Sequence, residues 1–411
     1  MKTKAKFILV LSIGLLALCS CNKKQSDKHD EEEGQVEEVI IPDGAFPFTF
    51  YSNHLYIKGA TDSIEGNYVF DTGAWGLYVD STYYAEKGFS HKSLVDAHIS
   101  GAGSSTQRIN LIKDRVHFDF YGYAYDVEYV PIIQLKEILG DYADGIIGME
   151  YFRDSVLEIN YTKEYMKIYS SIDSLDLTDY SKVDLVSSDR KLHVPLAIMV
   201  NDSVQIAGNF LLDFGSGSSV IISSSVSKEY DLYSVISNKL RYFTKYGGIG
   251  GESEQYDFSA NTVRLSDYVI NDMWVSYSTD KEGALSSRDY MGILGNEILS
   301  QFDIYIDFIN NHLYLKPNKN YDKISAFPRL GFGYVNRKET LGCWVVTGLY
   351  QSFSAELGGL QIDDRIIEVN GTKVTDINYG VDLFENVEDV NLMVKRGDEL
   401  MQISFSLKPL V

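Results

Sequence analysis

Gly66-Asn67-Tyr68-Val69-Phe70-Asp71-Thr72-Gly73-Ala74 is matched without a gap by Gly208-Asn209-Phe210-Leu211-Leu212-Asp213-Phe214-Gly215-Ser216, 142 residues further on. Each stretch is an apolar run that ends on Asp, with Gly two residues later. A second pair follows: Gly145-Ile146-Ile147-Gly148 and Gly292-Ile293-Leu294-Gly295, at an offset of 147. At that offset Ile159-Asn160-Tyr161 matches Ile306-Asp307-Phe308, and Tyr165-Met166-Lys167-Ile168 matches His312-Leu313-Tyr314-Leu315. Similarity recurring in order marks a duplicated unit. Short apolar runs closed by Gly and Asn/Asp turns predict strands rather than helices. Residues 43–170 and 187–318 are therefore expected to be two copies of one β-rich unit, joined by the polar residues 171–186.

Each copy delivers one Asp at a strand end. Two such turns facing each other would bring two carboxylates together, with Gly73 and Gly215 letting the backbones approach without a Cβ clash. Neighbouring carboxylates cannot both ionise readily and share one proton. One then serves as general base toward water and the other as general acid. That suffices to hydrolyse a peptide without metal, cofactor or covalent intermediate.

Phe70-Asp71-Thr72-Gly73-Ala74 with Ile146-Ile147-Gly148, and Leu212-Asp213-Phe214-Gly215-Ser216 with Ile293-Leu294-Gly295, resemble the signature of aspartic proteases, stated twice in order. The lobes are short and look like two retropepsin-like units fused in one chain. The resemblance implies a mainly β fold of two β-barrel lobes in tandem, with Asp71 and Asp213 as the catalytic pair. It implies that Thr72 bonds across to the opposing loop, and that Gly73, Gly215 and Ser216 support the catalytic turns. The hydrophobic-hydrophobic-Gly segments would buttress those turns. The Gly-rich stretches around Gly101 and Gly103, and around Gly248 and Gly250, are flap candidates that would close over substrate.

The sequence departs from this pattern at Phe214, where Thr or Ser is expected. Half of a reciprocal hydroxyl clasp is then missing, leaving the pair held less rigidly or packed apolarly. Ala74 in one copy faces Ser216 in the other, so a hydroxyl is expected near Asp213 alone. A site crippled at Phe214 would leave a peptide-binding lipoprotein as the alternative function. Other chemistries have little support. Asp213-Phe214-Gly215 lacks the companion motifs of a kinase. The seven histidines show no metal-ligand spacing, and no Gly-x-Ser-x-Gly elbow occurs.

From about residue 325 the pattern changes. Leu330-Gly331-Phe332-Gly333 resembles the carboxylate-binding loop of PDZ domains. Ser354 to Gly371, with Asp364-Arg365-Ile366-Ile367-Glu368-Val369-Asn370-Gly371 at its end, resembles their helix-to-strand segment. The resemblance implies a PDZ-like β-sandwich with short helices over 325–411. Such a module takes a C-terminal peptide onto a sheet edge, or it packs on the lobes as a structural element.

The N-terminal end reads as a targeting segment. A basic start, Met1 to Lys6, precedes an apolar run from Phe7 to Leu18 that is too short to span a bilayer. Ser20-Cys21 resembles a lipobox junction, which implies a signal peptide over 1–20, lipidation at Cys21 and a membrane anchor in a bacterial cell envelope. The acidic, apolar-poor residues 21–42 read as a flexible linker. Once Cys19 and Cys21 are accounted for, Cys343 remains, expected to be a packed, inert thiol. The formal charge of −21 argues against nucleic acid as a partner. Because both candidate carboxylates come from one chain, a monomer suffices.

Overall fold

The computed structural model describes residues 41–88, 92–103, 105–321, 330–384 and 387–408. The expected signal peptide, Cys21 and nearly all of the 21–42 linker lie outside the described residues, as does the start of the 325–411 region.

The protein is mainly β, its helices being single short turns such as Ser81–Glu86 and Ser224–Glu229. Among the described residues the strands form three sheets. The first has six strands and joins the two copies. Strand Val156–Asn160 pairs antiparallel with Phe302–Asp307, in the register Val156↔Asp307, Leu157↔Ile306 and Ile159↔Ile304. Each is followed by its hairpin partner, Tyr165–Tyr169 or His312–Pro317. The matching residues Asn160 and Asp307 do the same local job. Their side chains accept the amides of Lys163 at 2.8 Å and Asn310 at 3.0 Å, closing each hairpin turn.

The outer strands of this sheet correct one sequence expectation. Ala45–Pro47 flanks one edge and Ser181–Asp184 the other. Residues 181–184, expected to be part of a polar connector, are thus the second copy's counterpart of 45–47. Only Val183 of that strand is buried, so its alternation is too short to be heard against the polar background.

Within each copy the topology is the same. The Asp-bearing strand, Ile64–Asp71 or Val204–Leu212, pairs in parallel with the hydrophobic-hydrophobic-Gly strand, Gly145–Gly148 or Gly292–Leu294. The latter also pairs antiparallel with the strand that follows the Asp turn, Leu77–Asp80 or Val220–Ile222. The segment thus threads between the two strands that bound the Asp turn. A Cβ on Gly148 would lie 2.4 Å from the Trp75 carbonyl, and one on Gly295 would lie 2.4 Å from that of Ser218. No larger residue fits at either place.

One hydrophobic core runs through both copies, and a separate one holds the residues beyond 330. Phe332, Trp344, Ile366, Val390, Leu392 and Ile403 anchor this second core. Its strands Phe332–Arg337, Cys343–Tyr350, Arg365–Val369, Asp389–Arg396 and Glu399–Ser406 continue the sheet of the second copy. The junction is the antiparallel pairing Tyr242↔Tyr350, Phe243↔Leu349 and Thr244↔Gly348. Asn370 and Gly371 both take positive φ, at 48° and 82°, in a tight turn. Cys343 is a buried free thiol, and burial pushes its pKa up.

Candidate active site

The duplicated turns meet face to face. A Cβ on Gly73 would lie 3.0 Å from the carboxyl carbon of Asp213, and one on Gly215 would lie 2.3 Å from that of Asp71. At Gly215 any side chain would collide with the Asp71 carboxyl, and at Gly73 a Cβ would press tightly on that of Asp213. The two carboxyl groups are close enough to share a proton. Gly73 and Ala74 donate to Asp71 Oδ1 at 2.7 and 3.0 Å, whereas Gly215 donates to Asp213 Oδ1 at 2.9 Å.

This unequal donation separates the two groups. Burial raises both pKa values above the ordinary carboxylate range. At Asp71 the amides of Ala74 and Gly73 offset part of that rise. At Asp213 burial is reinforced by the negative charge of Asp71, and the group is held well above the usual range. Asp213 therefore keeps the shared proton and Asp71 carries the charge. The asymmetry does not come from the hydroxyl anticipated near Asp213, because Ser216 Oγ is hydrogen-bonded to Ser218 Oγ at 2.7 Å. An amide on the Asp71 side makes the difference.

Thr72 is fully buried and bridges the copies. Its hydroxyl donates to the Leu212 carbonyl at 2.6 Å and accepts from the Phe214 amide at 3.1 Å. Phe214 is also fully buried, with its ring 5.3 Å from that of Phe70. The return half of the clasp is thus replaced by an aromatic contact. Asn296 Nδ2 donates to the Phe214 carbonyl at 2.7 Å, holding the loop from beneath. Asn296 carries no signal in the repeat, since its counterpart in the first copy is Met149.

Both Gly-rich segments are hairpin tips. Gly101 and Gly103 lie between strands Leu94–Ser100 and Thr106–Ile112. Gly248 and Gly250 lie between Leu240–Thr244 and Ser253–Leu265. The tips touch: Gly103 N donates to the Ile249 carbonyl at 2.9 Å, and Ser105 N to that of Gly250 at 3.0 Å. A Cβ on Gly103 would lie 2.3 Å from the Gly250 carbonyl carbon. Gly248 and Gly250 have φ of 129° and 115°, which favour glycine.

Both tips and both Asp turns line one cleft of about 660 Å³. The cleft runs on to Gly333, Tyr334 and Val335, so the C-terminal strand Phe332–Arg337 forms part of its wall. Of the loop residues read from the sequence there, Phe332 is committed to the core, while Gly331, with φ of 74°, gives its carbonyl to Tyr350 N at 3.1 Å. The second hairpin is held to the C-terminal strands through both its arms: Lys245, just after Leu240–Thr244, meets Asp363 at 2.7 Å, and the Tyr350 hydroxyl donates to buried Asp257 of Ser253–Leu265. On the other side Asp141 takes Arg337 Nε, the amides of Glu339 and Thr340, and the Thr340 hydroxyl, all within 2.9 Å.

Two cleft residues escaped the sequence reading. His54 lies between the carbonyls of Ser52 and Gly215, its Nδ1 2.6 Å from the former, and burial lowers its pKa. Lys191 lines the cleft, and its positive charge bears on both carboxylates. Each follows a hairpin turn distant in sequence from the Asp motifs. Among the described residues no group of three or more His, Cys, Asp or Glu could hold a metal ion. Neither protein-family models nor curated proteins give a match to this sequence.

Proposed function

We propose that the protein is an aspartic endopeptidase built from two fused retropepsin-like lobes, with a PDZ-like C-terminal module. The observation that carries this reading is the paired, unequally held carboxyls of Asp71 and Asp213 at the floor of a cleft roofed by two hairpin tips. Charged Asp71 takes a proton from a water as its oxygen attacks the scissile carbonyl carbon. Protonated Asp213 gives its proton to the carbonyl oxygen. The tetrahedral diol then collapses: as C=O re-forms, one hydroxyl returns its proton to Asp213, the C–N bond breaks, and Asp71 passes its proton to the leaving amine, which restores the starting pair. The tips exclude bulk water and must part to admit an extended peptide.

The Ser20-Cys21 junction supports a lipid-anchored place in a bacterial envelope, with the folded part carried on residues 21–42. The C-terminal module would receive a peptide end at Leu330–Gly333. Its strand 332–337, set along the cleft wall, supports a role in guiding substrate. A second reading, a peptide-binding lipoprotein without activity, is favoured only by Phe214 in place of a hydroxyl residue.

Incubation with a mixed peptide library, with and without a statine-type inhibitor, separates the two. The protease reading expects new peptide ends that vanish with the inhibitor. Peptide binding without cleavage across the acidic and neutral range would favour the second.

A further inference from the structure

The hairpin that opens each copy points its turn at the other copy. Ser52 and Asn53, with φ of 50° and 58°, join Thr49–Tyr51 to His54–Thr61. Asp189 and Arg190, with φ of 49° and 60°, join Val186–Ser188 to Lys191–Asn201. From the first turn, Asn53 Nδ2 donates to the Gly217 carbonyl at 3.0 Å. A Cβ on Gly217 would lie 2.9 Å from the His54 ring. At the second turn the Arg190 guanidinium stands 5.0 Å over the ring of Trp75. Trp75 is the residue that precedes Gly217 by the repeat offset of 142. His54 and Lys191, each the first residue after its turn, therefore occupy equivalent positions flanking the Asp pair.

Their chemistry is opposite. His54 is buried and engaged by two carbonyls. Lys191 is only partly buried, and among the described residues its ammonium makes no hydrogen bond or ion pair; it stands over the ring of Tyr290, 5.9 Å from its centre. It is also the only Lys or Arg among the described residues lining the cleft, whose walls mix aliphatic side chains such as Ile99, Leu135, Ile146 and Ile293 with tyrosines and glycines. A cation in such surroundings has lost part of its hydration and favours an anion that completes its shell. Asp71 supplies charge but is occupied by Gly73, Ala74 and Asp213.

Resting on the protease reading, we propose that Lys191 is a specificity-determining residue that pairs with a carboxylate of the bound peptide, giving the cleft one acid-selective subsite on the side of the Asp pair opposite His54. Substrates would carry Asp or Glu at one position near the scissile bond and apolar residues around it.

The test compares Glu and Gln at each position of a cleaved peptide, in C-terminally amidated and free-acid forms, with wild type, Lys191→Met and Lys191→Glu. At one position Glu is expected to exceed Gln in kcat/KM by about 10- to 100-fold, mostly through KM, as a charge-assisted bond implies. Lys191→Met should bring that ratio near one, and Lys191→Glu should turn it toward Lys-containing peptides. A preference that survives amidation belongs to the side chain; one that needs the free acid belongs to the chain end. Ratios near one throughout in wild type, or a ratio unchanged in Lys191→Met, would overturn the assignment. So would a shifted pH profile with the ratio intact, since Lys191 would then only tune the pair. If wild type cleaves neither peptide, the protease reading itself fails. The same Glu/Gln comparison by fluorescence anisotropy on Asp71→Asn would still decide the role of Lys191.

Discussion

The amide of Phe214 donates to the hydroxyl of Thr72 at 3.1 Å, and that hydroxyl donates onward to the Leu212 carbonyl at 2.6 Å. One buried side chain from the first copy thus satisfies the backbone on both sides of Asp213. Thr72→Val keeps the shape and leaves two buried backbone groups unpaired, each costing about 1–3 kcal/mol. Chemical denaturation should show a loss of that order, and kcat should fall more than KM rises. Thr72→Ser should restore both. A stable, fully active Thr72→Val protein would show that the bridge does not hold the pair.

Phe214 fills space that a hydroxyl residue would leave empty. Its ring is fully buried 5.3 Å from that of Phe70. Phe214→Thr is therefore expected to destabilise the fold by about 2–4 kcal/mol, the scale of large-to-small substitutions in cores, and not to raise activity. Phe214→Leu should lose less. Equal or greater stability in Phe214→Thr would mean that the clasp can be rebuilt without repacking.

The raised pKa values of the pair fix a sign for stability against pH. A carboxyl whose folded pKa is raised binds its proton more tightly when folded. Its contribution is complete below the ordinary value of 3.8 and is lost as pH rises through the folded value. Asp213→Asn removes that loss. Its melting temperature should exceed that of wild type near neutral pH by a few degrees, and the two should converge at about pH 3. The cleavage rate of wild type should fall over the range where Asp213 gives up its proton. Parallel melting curves at all pH values would contradict the assignment of Asp213 as the proton holder.

Asp141, its carboxylate buried, ties the first copy to Arg337, Glu339 and Thr340. Removing one partner of a buried, hydrogen-bonded ion pair costs about 3–5 kcal/mol. In Asp141→Ala the residues beyond 330 should become the first site of limited proteolysis, while the lobes stay protected. Unchanged cleavage kinetics of that region would show that the sheet junction Tyr242↔Tyr350 holds it alone.

The mainly β class is legible in the short apolar runs around Val69 and Leu211, each closed by an Asp-x-Gly turn. The facing of the turns is hinted at by Gly73 and Gly215, because only a missing Cβ permits such an approach. Other features leave no local trace. The pairing of Leu240–Thr244 with Cys343–Tyr350 joins two strands about 100 residues apart, and which edges meet is set by tertiary packing rather than by local pattern. Ser216 turns to Ser218 because a neighbouring hydroxyl competes for it. His54 and Lys191 reach the cleft only through turns that cross between copies, a matter of tertiary geometry rather than spacing.

The most direct measurement is cleavage of a mixed peptide library from about pH 3 to 8 by wild type, Asp71→Asn and Asp213→Asn, with folding of each checked by thermal melting. The account predicts cleavage by wild type alone, with both folded variants at least about 1,000-fold slower, since each removes one half of the proton exchange. Cleavage retained in either folded variant, or none by wild type at any pH, would contradict it.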